Sequence, residues 1–308
     1  MQKYFIITVD TEGDNLWNYK PGNTVTTNNS KYIPRFQELC EKYKFPPVYL
    51  SNYEMLCDDE YVSYIKDKHS KGLCEVGLHL HAWNNPPEYE LNSIYNGNPY
   101  LIEYPDDVMQ KKFDYLYTLF CEEMGFKPIS HRAGRWAMDS RYFKLLDQYG
   151  VKVDCSVTPH IDWSKNKGAT QGGTDYRNYR TNCNNIYNIF EIPLTTIISH
   201  RPLSNSFKKN LRTCLYGTTL QLRPAVHNFA EMRHVVNQIY LDDSVNYIQM
   251  MLHSSELMPN GSPYFPDSNS IDSLYALLQE LFDYIQTKQF VGITLKEYYE
   301  RTKEGRLF

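Results

Sequence analysis

The sequence predicts an α/β protein built on a parallel sheet, and three observations predict it. Short apolar, β-branched runs alternate with stretches of helical periodicity, the pattern of successive βαβ units. Hydrophobic residues make up 42% of the 308 residues and charged residues 22%, the composition of a globular chain with a full-sized core. No internal repeat, low-complexity tract or linker-like stretch divides the chain, so residues 1–308 are expected to form one domain.

Strands are expected at residues 4–10, 47–51, 74–81, 128–132, 151–155, 189–193, 247–253 and 290–293. Between them, apolar residues recur at three-four spacing, which places them on one helical face. Ile33, Phe36, Cys40 and Tyr43 form one such stripe, and Met109, Phe113, Leu116, Phe120 and Met124 a second. The clearest is Ile271, Leu274, Leu278, Leu281 and Ile285. All three are expected to face the core. Segments 13–30, 82–104 and 156–188 are rich in Asn, Gly, Pro and Tyr with little periodicity, and are expected to be long loops. Long loops on an α/β scaffold are where specificity usually resides.

Charge and cysteine usage narrow the class. A net charge of -4, from 32 Lys+Arg against 36 Asp+Glu, is too balanced for a nucleic-acid binder or a polybasic membrane patch. No stretch reaches the ~18–20 apolar residues of a membrane span, so no stable membrane insertion is expected. The chain enters a strand by Tyr4 without the ~7–15-residue apolar run of a secretory signal. Its cysteines (Cys40, Cys57, Cys74, Cys121, Cys155, Cys183 and Cys214) are odd in number, scattered and free of any CxxC pair. Both features point to free thiols and a cytoplasmic location. The abundant tyrosines suit either a carbohydrate groove or ordinary half-buried packing.

Chemistry concentrates at four expected strand ends. The first strand runs into Asp10-Thr11-Glu12-Gly13-Asp14, and because residues i and i+2 share a face, Asp10 and Glu12 can converge. In a parallel α/β protein that point lies at the carboxyl ends of the strands, where active sites collect; the alternative is a solvated acidic turn. The third strand ends in His79-Leu80-His81-Ala82-Trp83, and the same period of two sets the imidazoles of His79 and His81 side by side. Two imidazoles and a carboxylate are a divalent-metal donor set, with Zn²⁺ the commonest occupant. Next comes His131-Arg132-Ala133-Gly134-Arg135-Trp136, whose strand-end Arg132 can hold a carboxylate ionised. Finally Met251-Leu252-His253-Ser254-Ser255-Glu256 delivers His253, a candidate general acid.

The order acid pair, His pair, Arg, His resembles the motif series of the NodB-type polysaccharide deacetylases, from strand one to the closing Gly292-Ile293-Thr294-Leu295-Lys296-Glu297. The resemblance implies an irregular (β/α) barrel with about seven parallel strands and long loop insertions. It implies Asp10 as base, Glu12, His79 and His81 as metal ligands, Arg132 as orienter of the base and Leu252-His253 as the element bearing the acid. Two departures matter: Thr11 separates the acids where the family has adjacent aspartates, and the histidines stand two rather than four apart, with Trp83 at the more distant position. That spacing is similar to a branch found in surface-polysaccharide gene clusters, the WbmS-like and WalW-like proteins. Asp14 stays open as a substitute ligand for His81.

The implied activity is metal-dependent hydrolysis of an N-acetyl or other N-acyl group on a sugar, a nucleotide- or lipid-linked precursor of surface polysaccharide. Zn²⁺ is the expected cofactor, with Co²⁺ and Mn²⁺ as the alternatives. Trp83, Arg135, Trp136 and Trp163 sit near the motifs, where the rings can stack on a sugar or simply wall the barrel mouth, and where Arg135 can meet a substrate anion or a surface carboxylate. His131 reads as an orienting residue; Asp154 and Asp162-Trp163 are loosely similar to a family motif that positions the Arg or His. Competing readings are a deformylase or amidase on a non-sugar amide, and an inactive barrel that only binds carbohydrate.

Overall fold

The computed structural model describes residues 1–20, 22–91, 98–161, 184–204 and 206–305. In chain order the elements are β1 (Tyr4–Thr11), α1 (Ile33–Tyr43), β2 (Pro47–Ser51), α2 (Tyr53–Leu56), α3 (Asp59–Ser70), β3 (Glu75–Leu80), α4 (Asp106–Met124), β4 (Ser130–Ala133), α5 (Ser140–Gln148) and β5 (Val153–Asp154). Then come β6 (Asn184–Ile186), β7 (Ile189–Glu191), β8 (Thr196–Ser199), α6 (Phe207–Tyr216), β9 (Thr218–Gln221), α7 (Phe229–Leu241), β10 (Tyr247–His253), α8 (Ser268–Thr287), β11 (Val291–Gly292) and α9 (Leu295–Lys303).

The main sheet has the order β10-β1-β2-β3-β4-β5-β7-β6, with β11 added against the start of β1. Neighbours from β10 to β7 are all parallel, giving a seven-stranded curled sheet, and only β6 is antiparallel. Between β7 and β10 the wall is closed by side chains: Tyr247 donates its hydroxyl to the Pro193 carbonyl at 3.0 Å, and the Gln249 N–H donates to Thr195 Oγ1 at 2.7 Å. This is the irregular (β/α) barrel that the sequence led us to expect.

Every residue of β1, β2, β3 and β4 is buried, which is why those strands read as continuous apolar runs rather than alternating ones. All residues of the three apolar stripes, on α1, α4 and α8, are buried, and one core cluster runs from Tyr4 to Tyr298. Lys44 and Gly125, at φ 56° and 79°, take the left-handed conformation that ends α1 and α4.

Three expectations need correction. β5, β7 and β11 are shorter than the segments 151–155, 189–193 and 290–293, since only Val153–Asp154, Ile189–Glu191 and Val291–Gly292 keep the ladder pairing of a strand. The expected loop 156–188 contains strand β6, whose short polar run Asn184–Ile186 carries no periodic signal. The hairpin β8–β9 was not expected either, since both strands are only partly covered and their apolar alternation is weak. No described helix is long and apolar enough to cross a membrane. The six described cysteines are free thiols; Cys183 lies outside the described residues.

Candidate active site

Four strand ends meet at one point. β1 carries Asp10 and, just past its end, Glu12; β3 carries His79 and, just past its end, His81; β4 carries Arg132 and β10 carries His253. Register sets the neighbours: Asp10 lies directly across from His253, and His79 across from Arg132. The period-two placement and this register therefore converge on the same site.

On one side, Glu12 Oε2 is 2.6 Å from His81 Nε2 and 3.5 Å from His79 Nε2, and the two Nε2 atoms are 3.1 Å apart. His79 Nδ1 is 3.0 Å from the Arg132 carbonyl. A carbonyl only accepts, so Nδ1 carries a proton and Nε2 is the nitrogen turned to the cluster, the orientation seen in metal-ligating histidines. Burial would raise the Glu12 carboxyl, but His81 and His79 outweigh it and hold it well below the usual range. An ionised carboxylate and two ring nitrogens converging on one point fit a first-row divalent ion. Asp14 does not join them: its Oδ1 accepts from the Thr26 hydroxyl.

On the other side, Arg132 is fully buried. Its Nη1 reaches Asp10 Oδ1 at 2.5 Å, its Nη2 donates to Thr8 Oγ1 at 2.7 Å and its Nε to the Cys155 carbonyl at 3.2 Å. Burial pushes the Asp10 carboxyl up, yet Arg132, aided by His79 and His253, holds it below its ordinary value. His253 faces Asp10 with Nε2 3.9 Å from Oδ2, while its Nδ1 is 3.2 Å from Glu256 Oε1. Burial alone would lower the His253 pKa, but the Glu256 carboxylate raises it overall, and His253 and Arg223 in turn hold Glu256 below its usual range. This half of the site holds one ionised carboxylate opposite one imidazole biased toward protonation.

The aromatic and arginine residues near the motifs divide. Trp83 packs on the cluster, its ring 4.2 Å from that of His81, and walls a cavity of about 510 Å³ shared with Tyr19, Tyr53, Glu54, Asn84 and Asn85. Trp136 is mostly buried beneath Arg132, whose guanidinium stands 5.0 Å over its ring. Arg135 turns toward residues 98–100, donating to the Asn98 carbonyl at 2.5 Å and to Tyr100 Oη at 3.1 Å. Arg135 and Trp136 both have positive φ, 56° and 62°, a conformation bulky residues avoid. The sharp turn follows Gly134, where any Cβ would come within 2.3 Å of the Leu80 carbonyl. His131 is an internal residue bonded to Asp154 and Tyr142. Asp162 and Trp163 lie outside the described residues.

Sequence reasoning missed four participants. Glu256 stands at i+3 from His253 in the turn closing β10, a spacing that a capping-box reading would have found. Arg223 follows the unanticipated strand β9 and reaches Glu256 at 3.3 Å. Trp17, inside loop 13–30, packs edge-on to His253 with centroids 5.0 Å apart and donates its indole N–H to Ser255 Oγ at 3.0 Å. Glu54 accepts from the Gly13 N–H at 2.6 Å and from Asn52 at 3.2 Å, bracing the turn that carries Glu12. No local pattern marks the last three.

No protein-family model matches the sequence, and no curated protein matches it. Solved structures do resemble the fold. One from Mycobacterium smegmatis, inferred to be a polysaccharide deacetylase, aligns with 100% of this chain and 93% of its own at 13% identity and a TM-score of 0.54. A GH57-type branching enzyme from Pyrococcus horikoshii aligns with 98% of this chain and 71% of its own at 9% identity and a TM-score of 0.56. A 4-alpha-glucanotransferase from Thermococcus litoralis aligns with 98% of this chain and 41% of its own at 12% identity and a TM-score of 0.55. At such identities the likeness is one of fold, and the chemistry has to be read from the site.

Proposed function

We propose that this chain is a metal-dependent hydrolase that removes an N-acyl group, acetyl foremost, from a sugar, working as one domain on a nucleotide- or lipid-linked precursor in the cytoplasm. The observation that carries the reading is the pairing, beside the Glu12-His79-His81 cluster, of an arginine-held carboxylate with a carboxylate-held imidazole, 3.9 Å apart. A divalent ion held by Glu12, His79 and His81, with Zn²⁺ favoured by the donor set, would polarise the acyl carbonyl and acidify a water. Asp10, kept ionised by Arg132, takes the proton of the attacking water. His253, whose pKa Glu256 raises, gives its proton to the leaving nitrogen, so amide and water become free amine and carboxylate. Trp83 and Tyr19 offer aromatic faces to the sugar ring, and in this reading Arg135 and Trp136 shape the mouth from below.

The fold is shared with enzymes that transfer or branch glucans, so glycosyl chemistry is the competing reading. Such chemistry needs one carboxyl kept protonated as acid beside a second carboxylate. Here Asp10, Glu12 and Glu256 are all displaced toward the ionised form; Glu54, which burial pushes up to about 7, has its oxygens taken by the Gly13 N–H, Asn52 and Asn84, and the proton donor opposite Asp10 is an imidazole. Pure carbohydrate binding would need neither partner of the Asp10–His253 pair.

The test is direct. Protein loaded with Zn²⁺, Co²⁺ or Mn²⁺ is offered N-acetylated and N-formylated amino sugars, free and nucleotide-linked, and non-sugar amides. Acetate and free amine released one to one from the sugars is the expected result. Formate release, or turnover of the non-sugar amides alone, would reassign the acyl group or the substrate. Metal-bound protein that releases no acid from any of them would refute the hydrolase reading.

A further inference from the structure

Helix α6 turns its apolar side outward. Phe207, Leu211 and Leu215 are 82%, 55% and 64% exposed, and Thr213 is the one buried residue of the helix. At roughly 100° per residue the three apolar side chains fall within about 80° of arc, and Thr213 lies about 160° from Leu211. The apolar arc is therefore the side farthest from the body of the protein. Lys208 and Arg212 lie about 20° and 60° beyond one edge of that arc and Lys209 about 120° beyond it, all three are exposed, and no acid stands in the helix. Beyond the C-terminus the apolar surface continues: Ile198 of β8 is 56% exposed and its Cγ2 lies 3.0 Å from where a Cβ on Gly217 would sit.

The charge is segregated too. From Ile192 to Ala230 the sequence has no Asp or Glu but carries the exposed Arg201, Lys208, Lys209 and Arg212, besides Arg223 in its pair with Glu256, in a chain whose net charge is -4. The balanced whole-chain sum hides a local basic region. A face that is apolar at its centre and cationic at its flank complements a surface that is apolar within and anionic at its rim. A second copy is a poor occupant, because a two-fold contact through α6 would bring both sets of cations together.

We propose that α6 docks this protein on an anionic lipid surface, with Phe207, Leu211 and Leu215 set among the acyl-chain ends, Lys208 and Arg212 against headgroup phosphates, and Lys209 adding to the local positive potential. The helix lies in the interface and spans nothing. From Tyr216 the chain runs only seven residues to Arg223, at most about 25 Å if fully extended, and Arg223 Nη2 stands 3.5 Å from His253 Nδ1. Docking therefore keeps the strand-end site close to the bilayer. The proposal stands whether or not the chain is a hydrolase.

The experiment is flotation of the full-length protein with phosphatidylcholine vesicles, with and without phosphatidylglycerol. Binding is expected to the anionic vesicles and to weaken ~10-fold or more on raising salt from low to molar concentration. Phe207→Ser, Leu211→Ser and Leu215→Ser together should reduce it ~10-fold or more. Lys208→Glu, Lys209→Glu and Arg212→Glu together should abolish the preference for phosphatidylglycerol. These side chains are exposed, so melting temperatures should not change, which separates lost docking from misfolding. The proposal is overturned by wild-type protein that ignores anionic vesicles, or by a triple-serine variant that binds as well as wild type. It is equally overturned by a dimer that the serine substitutions dissociate, which would make α6 a self-interface, or by binding to polyglutamate in place of vesicles, which would make the partner an acidic protein.

Discussion

Two histidine–carboxylate pairs stand on this sheet, one on β10 and one on β4 with three strands between them, and they behave oppositely. His253 has Glu256 at 3.2 Å from its Nδ1, and His131 has Asp154 at 2.6 Å from its own. The pairs differ in what holds the other nitrogen. His131 Nε2 is 2.7 Å from the Tyr142 hydroxyl and the whole residue is sealed. His253 Nε2 looks across 3.9 Å at Asp10 from a position with 14% of its side chain exposed. Burial dominates His131 and lowers its pKa despite Asp154, whereas Glu256 wins at His253 and raises it. A carboxylate neighbour does not by itself make an acid; the nitrogen that gives up the proton must also be reachable and charged.

The largest expected effect falls on the reachable pair. His253→Ala should lower kcat on an N-acyl sugar by ~10²–10⁴-fold, the usual worth of general-acid assistance. Bound metal, measured by elemental analysis, should stay unchanged. An activated aryl ester, whose leaving group needs no proton, should recover much of the rate. Near-normal amide turnover would remove His253 from the mechanism; loss of metal would move it into the ligand set.

The sealed pair should respond through stability instead. His131→Ala removes the ring N–H that the buried Asp154 carboxylate accepts and leaves it the Ser156 N–H and hydroxyl, at a cost of about 1.5–3 kcal/mol, the worth of a hydrogen bond to a charged group. Chemical denaturation should register that loss, while kcat per folded molecule stays within about twofold. A large kcat loss without destabilisation would make the two pairs alike and break the contrast.

What the sequence reveals of this arrangement follows the same division. Asp10, Glu12, His79, His81, Arg132 and His253 are legible because each stands at or just past the end of a buried strand, where a polar side chain interrupts an apolar run. The period of two then says which of them share a face. The seven-stranded parallel sheet and the three core stripes are legible for the same reason: long, strongly patterned segments. Hairpin β8–β9 and strand β6 escape because they are short and half-covered. Arg223, Trp17 and Glu54 escape because their meaning lies in contacts more than 29 residues away in sequence, to His253, Ser255 and Gly13. Asp14 illustrates the converse, an acid in the right segment that a local hydrogen bond to Thr26 turns aside.

A subtler substitution sharpens the contrast through pH. Glu256→Gln keeps the shape beside His253 but removes the main charge that raises its pKa, leaving burial and Arg223 to lower it against Glu12. The alkaline limb of kcat/KM, where His253 loses its proton, should move to lower pH, with activity largely regained below the new limb. The stability linkage has the same sign. In wild type the raised pKa contributes stability that is present below the unfolded value near ~6.5 and is lost as pH rises through the folded value. The Glu256→Gln variant should flatten that alkaline loss in urea denaturation. An unmoved limb would assign the proton donor elsewhere.

The smallest expected effect tests the cap on His131. Because the His131 pKa is lowered, the ring is neutral in the folded protein, with its proton on Nδ1 toward Asp154 and its Nε2 lone pair accepting from Tyr142. Burial, with Asp154 adding to it, pushes the Tyr142 phenol well above its usual value, so the hydroxyl remains a donor throughout the neutral range. Tyr142→Phe removes that donor and leaves one buried acceptor unsatisfied, at a cost of about 1–3 kcal/mol. The melting temperature should therefore fall by a few degrees. Since neither partner changes protonation between about pH 7 and 9 in the folded state, the fall should be constant across that window. The kcat/KM profile should be superimposable on that of wild type. A fall that grows toward alkaline pH, or an alkaline limb displaced by this substitution, would mean that the sealed histidine exchanges its proton with the site after all.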